Sequence, residues 1–224
     1  MEFFLDTINL DKIAQFQEFI PVAGVTLTPS IIKREGKVDF FEHAKKIRQL
    51  IGTKRTLHIQ LVAADCEQLI KDAQAVWQNV DSEVFVKIPL SLDGLKAIQY
   101  LKKQGPCHIT ATATYSRIQG MLAMAEHANY LAVYTSRVEN IDGDFPGLIK
   151  SLKTYAANNH YGTKIMASSI KSVRQITAAA EAGADAVTFA PDVLTKAFEN
   201  GALTKALTDF TDDWEALYNK RHIY

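Results

Sequence analysis

The sequence predicts a (β/α)8 barrel, an α/β fold of the TIM type, closed off by an additional C-terminal helix. Three observations predict it. Short apolar runs of strand character recur along the 224 residues. Segments whose apolar residues fall at helical spacing separate them. The alternation continues without a composition break, internal repeat, low-complexity tract or linker, so residues 1–224 read as one barrel domain. The competing architecture, a doubly wound open sheet, usually carries a glycine-rich phosphate loop after its first strand. Here the first run leads into Asp6-Thr7-Ile8-Asn9, which contains no glycine.

The elements follow in order. Phe3 to Leu5 reads as the first strand and precedes a helical face of Leu10, Ile13 and Phe16. Gly24 to Thr26 comes next; beyond a Gly36-Lys37 loop, Phe40, Ala44, Ile47 and Ile51 share a face. Leu57 to Val62 leads to Leu69, Ala73, Val76 and Trp77, and Val84 to Ile88 leads to Leu95, Ile98 and Leu101. His108 to Thr112 precedes Ile118, Met121, Leu122 and Ala125. Tyr130 to Tyr134 is followed by a loop over 140–144, then by Phe145, Leu148, Leu152 and Tyr155. Lys164 to Ala167 precedes Val173, Ile176 and Ala180, and Ala186 to Phe189 is the last strand. Leu203 through Phe210 to Trp214 and Leu217 reads as the terminal helix, over 201–219. Asp39, Asp65 and Ser91 stand where helices should begin, and each is a capping type.

Composition narrows the function. Lys and Arg total 25 and Asp and Glu total 25, so no net charge draws the chain to nucleic acid or to an anionic membrane. Neutrality also does little to keep copies apart, which permits a homo-oligomer. Cys66 and Cys107 form no CxxC pair, which favours a reducing compartment. The N-terminus lacks the pattern of a secretion signal and no apolar run approaches 18 residues, so the expected address is cytoplasmic.

Chemistry in a barrel sits at the C-terminal ends of the strands. Those ends supply a polar set: Asp6, Thr26, Gln60, Lys87, Thr112, Tyr134 and Ser169. Period-two alternation turns Lys87 inward with Phe85, Gln60 with His58, and Tyr134 with Ala132 and Tyr130, while Val84 and Val86 face the helices. Taken singly, each of these is also an ordinary strand-end polar residue meeting solvent. Lys87 stands apart because Val84-Phe85-Val86-Lys87-Ile88-Pro89 is apolar enough for full burial, where lysine is rarely found unpaired. Two readings are open: an ion pair with Asp6 that clasps the core, or a desolvated amine that attacks a carbonyl. The six histidines form no HExxH or other close ligand pair, so no metal is expected. His58 and His108, on strands, are as well explained as satisfied barrel histidines. A glycine-rich nucleotide loop, a Gly-x-Ser-x-Gly elbow and Cys/His nucleophile spacing are also missing, which removes the usual support for hydrolases and dehydrogenases.

The sequence resembles the transaldolase family, in particular its short single-barrel branch of fructose-6-phosphate aldolases. The likeness is carried by Phe4-Leu5-Asp6-Thr7, by Ala23-Gly24-Val25-Thr26-Leu27-Thr28-Pro29-Ser30-Ile31, and by Val86-Lys87-Ile88-Pro89 with Asp93-Gly94-Leu95-Lys96-Ala97. Thr112-Ala113-Thr114-Tyr115-Ser116, Ala167-Ser168-Ser169-Ile170-Lys171, Ala182-Gly183-Ala184-Asp185 and Asp213-Trp214 complete it over essentially the whole chain. The lysine followed by Ile-Pro is the most specific of these motifs. The resemblance implies a class I aldol reaction on sugar phosphate, aldehyde and ketone substrates, with no metal or organic cofactor. In it Lys87 is the Schiff-base lysine and Asp6 the strand-one acid. Gln60 and Tyr134 hold the water used in proton transfer, and Thr112 and Ser169 touch that water or the sugar. Thr26 and Thr28 border the substrate, Arg137 receives its phosphate, and Lys171 is a second phosphate-facing cation. The resemblance also implies decamers of two stacked pentamers, with the terminal helix crossing a subunit boundary.

Two positions sort the branch. Transaldolases proper carry glutamate at the place of Gln60 and phenylalanine at that of Tyr134, so this chain matches the aldolases, which cleave fructose 6-phosphate to dihydroxyacetone (or a related ketone) and glyceraldehyde 3-phosphate. Thr28 departs from the family, which places there an asparagine that binds the ketose hydroxyls. A hydroxyl is shorter than that amide and offers one donor, so a shifted donor ketone is expected. The alternatives are a transaldolase that passes the ketone unit between sugars, and a barrel that binds sugar phosphate without turnover.

Overall fold

The computed structural model describes residues 1–224, and its strands close into one ring in chain order, β1 to β8, with every neighbouring pair parallel. The strands are β1 (Glu2–Asp6), β2 (Val22–Leu27), β3 (Thr56–Gln60), β4 (Phe85–Pro89), β5 (Ile109–Thr114), β6 (Tyr130–Tyr134), β7 (Lys164–Ser168) and β8 (Ala186–Phe189). Every strand expected from the sequence forms, with ends moved by one or two residues. The shifts have local causes. Val84 belongs to a turn, its N–H bonded to the Asp81 carbonyl, and Val62 has left β3 for solvent at 74% exposure.

The long helices outside the ring are α1 (Leu10–Phe19), α3 (Phe40–Ile51), α4 (Cys66–Asn79), α5 (Leu92–Gln104), α6 (Arg117–Ala125), α8 (Phe145–Asn158), α9 (Val173–Glu181) and α11 (Gly201–Tyr218). Side-chain caps start them: Asp39 accepts from Glu42 N, Asp65 from Gln68 N and Ser91 from Gly94 N. Three short helices, α2 (Pro29–Glu35), α7 (Thr135–Glu139) and α10 (Pro191–Thr195), begin at or just beyond strand ends. One glycine is dictated by this packing. A Cβ on Gly94 would lie 1.9 Å from the Pro89 carbonyl oxygen, so α5 can begin this close to the end of β4 only without a side chain.

Burial divides into two layers. Val25, Leu57, Ile59, Val86, Ile88, Leu131 and Val133 point outward and pack with the helix faces in one continuous core. Inside the ring, Phe4, Tyr130, Met166 and Ala186 form a second cluster, with Phe85 against it. His58 completes that inner layer, stacked on the Phe85 ring at 4.5 Å and edge-on to Phe4 at 5.1 Å. Its nitrogens meet Thr110 Oγ1 at 2.8 Å and Thr56 Oγ1 at 2.9 Å, and burial holds its pKa well below the usual histidine range. A neutral, satisfied imidazole therefore belongs to an aromatic plug that fills the lower barrel, and Lys87, two residues beyond Phe85, rises from its upper side. No helix is long and apolar enough to cross a membrane.

Candidate active site

A cavity of about 300 Å³ opens at the C-terminal mouth of the barrel. Eight residues singled out in the sequence line it: Asp6, Thr28, Gln60, Lys87, Tyr134, Arg137, Ser169 and Lys171. They come from the ends of β1, β3, β4 and β6 and from the segments after β2, β6 and β7, so closure of the ring is what brings them together.

Lys87 is 1% exposed between Val86 and Ile88, both 0%. Its amine makes no ion pair, there being no carboxylate oxygen within 4.0 Å, so no clasp with Asp6 is closed. Burial lowers the Lys87 pKa, and the nearby Asp6 charge only partly restores it. Asp6 is shifted upward, again chiefly by burial, with Lys87, the Thr26 hydroxyl, Arg34 and Lys171 opposing. Both groups of this acid–amine pair are thus displaced toward their neutral forms.

Asp6 is held from below. The Thr26 hydroxyl donates to Asp6 Oδ1 at 2.5 Å and lies 2.6 Å from Thr188 Oγ1. Since the one Thr26 proton is committed to the carboxylate, Thr188 is the donor of the second bond. Thr26 is 0% exposed and stands beneath the cavity wall rather than on it.

Across the mouth, the Tyr134 hydroxyl donates to Gln60 Oε1 at 3.2 Å. Burial pushes the Tyr134 phenol up, against the Thr112 hydroxyl and Arg137, so it stays protonated with its oxygen lone pairs available. Thr112 Oγ1 is near that phenol but outside hydrogen-bond geometry, and it is buried without a partner. The Arg137 guanidinium lies over the Tyr134 ring, 4.7 Å from its centre, and donates to the Tyr115 hydroxyl at 3.1 Å.

Two wall residues are strained, and further contributors lie outside the set that the sequence singled out. Ala113 and Ser169 both line the cavity with φ of 57° and 59°, a left-handed conformation that costs a non-glycine residue roughly 1–3 kcal/mol. Gln175, on α9, is a buried junction. Its Oε1 accepts from Ser136 Oγ at 3.1 Å and from Lys171 N at 2.7 Å, while its Nε2 donates to Glu139. One amide therefore fixes α7, which carries Arg137, to the loop that carries Lys171. Arg34 and Ser30 of α2 also reach the cavity. Glu35 anchors that helix, accepting from Thr7 Oγ1 at 2.7 Å, Ile8 N at 2.9 Å and Arg34 Nη2 at 2.5 Å. Burial raises the Glu35 pKa, but those donors outweigh it and hold the carboxyl below its ordinary value.

Comparison with known proteins bears on the family and the fold. A "Probable fructose-6-phosphate aldolase" of Streptococcus pneumoniae (strain ATCC 700669 / Spain 23F-1) is 44% identical over 223 residues, covering 100% of each chain. Among solved structures, the orotidine 5'-monophosphate decarboxylase of Methanocaldococcus jannaschii superposes with a TM-score of 0.59 at 14% identity, covering 85% of this chain and 88% of that one. A putative deoxyribose-phosphate aldolase of Coccidioides immitis gives 0.58 at 13% identity, covering 86% and 81%. At such identities the structural likeness speaks for the barrel alone. Residues 3–222, nearly the whole chain, match the family described as Transaldolase/Fructose-6-phosphate aldolase, and the chain belongs to that family.

Proposed function

We propose that this protein is a class I aldolase that cleaves and forms a ketose phosphate, of which fructose 6-phosphate is the type, through an imine on Lys87. The observation that carries the reading is an amine 1% exposed, without an ion pair, facing a polar cavity beside a single carboxylate, Asp6. A structural lysine in such a place is expected to be paired; an amine kept partly neutral is a nucleophile.

In the cleavage direction the neutral Lys87 Nζ adds to the ketose C2 carbonyl. Asp6 carries a proton to the departing oxygen, water leaves, and a protonated imine remains. The C3–C4 bond then breaks with its electron pair drawn into the iminium, giving an enamine. The proton of the C4 hydroxyl passes to a water held between Gln60 and Tyr134, and the C4 fragment departs as an aldehyde. Protonation of the enamine at C3 and hydrolysis of the imine release the ketone and regenerate the amine. Arg137 and Lys171 hold the phosphate throughout, Arg137 as a bidentate fork.

The relative's printed name and the Gln60–Tyr134 hydrogen bond support release of a free ketone over transfer to a second sugar. Borohydride reduction in the presence of fructose 6-phosphate should add the ketone's mass at Lys87 and nowhere else; an unmodified Lys87 across a panel of ketoses rules the imine out. Free dihydroxyacetone produced without an acceptor aldehyde supports the aldolase, and an absolute need for erythrose 4-phosphate supports the transferase.

The same reading includes self-association through α11. None of its residues is buried, and Leu203, Leu207, Phe210 and Leu217 lie on it exposed. A groove of about 650 Å³ beside the active cavity, lined by Ile32, Phe40, Phe41, Leu61, Val62 and Val76, is a fitting seat for such a helix from a second copy.

A further inference from the structure

Asp6 stands at the upper end of a chain of two hydroxyls that crosses the barrel interior. In the closed ring β1 lies between β2 and β8. Asp6 is paired in register with Thr26 of β2, and Thr188 of β8 is paired with Phe4, two residues below Asp6 on the same inward face. The two threonine oxygens meet at 2.6 Å across β1, and Thr26 continues the chain to Asp6 Oδ1 at 2.5 Å. The three side chains have no other hydrogen-bond partner within the protein, so Asp6 Oδ2 is left free.

Each hydroxyl has a single proton, which gives this chain a direction. Thr188 donates to Thr26, and Thr26 donates to the carboxylate. That direction suits the ionised acid. A carboxylate oxygen draws a stronger bond than the oxygen of a neutral carboxyl group. Thr26 is in turn a better donor because it accepts from Thr188. Thr26 is 0% and Thr188 1% exposed, so solvent is a poor substitute for either hydroxyl. Around Asp6 the chain acts alongside Lys87 of β4, Arg34 of α2 and Lys171 after β7, and against burial. Thr188 differs from those cations in bearing no charge and in reaching Asp6 only through Thr26.

We propose that Thr188 is a positioning residue for the proton transfers at Asp6: by donating to Thr26 it fixes Oδ1 and favours the ionised carboxylate, leaving Oδ2 to exchange the proton. The proposal rests on the aldolase reading for what Asp6 does, though not for how Thr188 acts on it. In that reading Asp6 takes up a proton and gives it to the departing oxygen. An acid that holds its proton too firmly performs the second of these steps poorly.

Infrared spectra of the full chain recorded against pH follow the carboxylic-acid C=O band of Asp6, identified by its loss in Asp6→Asn. Thr188→Val keeps the side-chain shape and removes the hydroxyl. It should raise the midpoint of that band by about 0.5–1 pH unit, the worth of one hydrogen bond. Thr188→Ala should move it in the same direction. Thr188→Ser restores the donor and should return the midpoint to within about 0.3 unit of wild type. The acid limb of kcat/KM should move upward with the band, because Asp6 and Lys87 titrate as a pair. A midpoint that stays or falls in either Thr188→Val or Thr188→Ala, or a serine variant that behaves like the valine one, overturns the proposal. A merely structural threonine changes the melting temperature without moving the band, and so falls under the first of these outcomes. Failure of borohydride trapping at Lys87 with the band shifted as expected strikes the aldolase reading and leaves the control of Asp6 by Thr188 standing.

Discussion

At Lys87 burial and the Asp6 charge pull in opposite directions, and burial prevails. The native amine holds its proton less tightly than the unfolded chain does. Between the lowered native value and the ordinary 10.5, the unfolded state therefore binds the extra proton. Stability gained from this residue rises with pH through that window and is smallest below it. Lys87→Met should show its most favourable unfolding midpoint relative to wild type at pH 7, and that difference should shrink as pH approaches 10 in calorimetric scans. Growth of the difference with pH would contradict the assignment. The same variant should lose more than about 10⁴-fold in turnover, and wild-type kcat/KM should climb with pH as the amine is freed. Tyr134→Phe removes a hydroxyl whose hydrogen-bond partner is Gln60. Turnover to free ketone should fall by about 10²-fold, with little change in melting temperature, and the share of product passed to an acceptor aldehyde should rise. Much of this residue set was legible because strand parity is a geometric rule, which turned Asp6, Gln60, Lys87 and Tyr134 to one mouth. The rule brings Thr112 beside the Tyr134 phenol and fails at the next residue. A register shift between Ala111 and Thr114, with Ala113 at φ 57°, puts Ala113 on the cavity wall instead, and no residue type announces such a bulge.

On the scale of elements, the strands and long helices were readable from hydropathy because each has one face in a continuous core. The short helices α2 and α7 were not, since 7 and 5 residues are too few to show a helical period. These are the elements that bring Arg34 and Arg137 to the cavity, so the phosphate-facing part of the site owes its geometry to segments that hydropathy alone leaves as loop. What holds α7 in place is a polar junction at Gln175, from an element a strand away. Gln175→Ala leaves the Ser136 hydroxyl and the Lys171 N–H without their shared acceptor, a loss of about 1–3 kcal/mol for each buried group left unsatisfied. Its effect should fall on phosphate capture: KM for a phosphorylated substrate up by about tenfold, with kcat within a few-fold of wild type and Lys87 still trapped by borohydride. A drop in kcat at unchanged KM would show that Gln175 supports the reacting centre instead.

At the scale of the whole molecule, α11 is the element the barrel does not explain. An 18-residue helix that buries none of its residues gains little from its own chain, because helical segments are stabilised mainly by packing one apolar face. Leu203, Leu207, Phe210, Trp214 and Leu217 recur at helical spacing, and Trp214 alone finds local cover, its ring tilted against that of Tyr218 with centres 4.2 Å apart. The apolar groove over α2, α3 and α4 has the complementary character, and two of its lining residues, Thr28 and Gln60, also line the active cavity. A helix seated there from a second copy closes one side of the site, so assembly and substrate binding should be coupled. The double variant Leu207→Asp, Phe210→Asp places charges on the exposed apolar stripe and touches nothing buried in its own barrel. Sedimentation should show the wild type as a large assembly, a decamer if the family likeness extends to stoichiometry, and the variant as a smaller species with an unchanged far-ultraviolet spectrum. Since the groove shares Thr28 and Gln60 with the cavity, KM of the dissociated variant should rise while borohydride still labels Lys87. A variant that dissociates with KM unchanged separates the groove from the site, and one that keeps the wild-type sedimentation coefficient removes α11 from the interface.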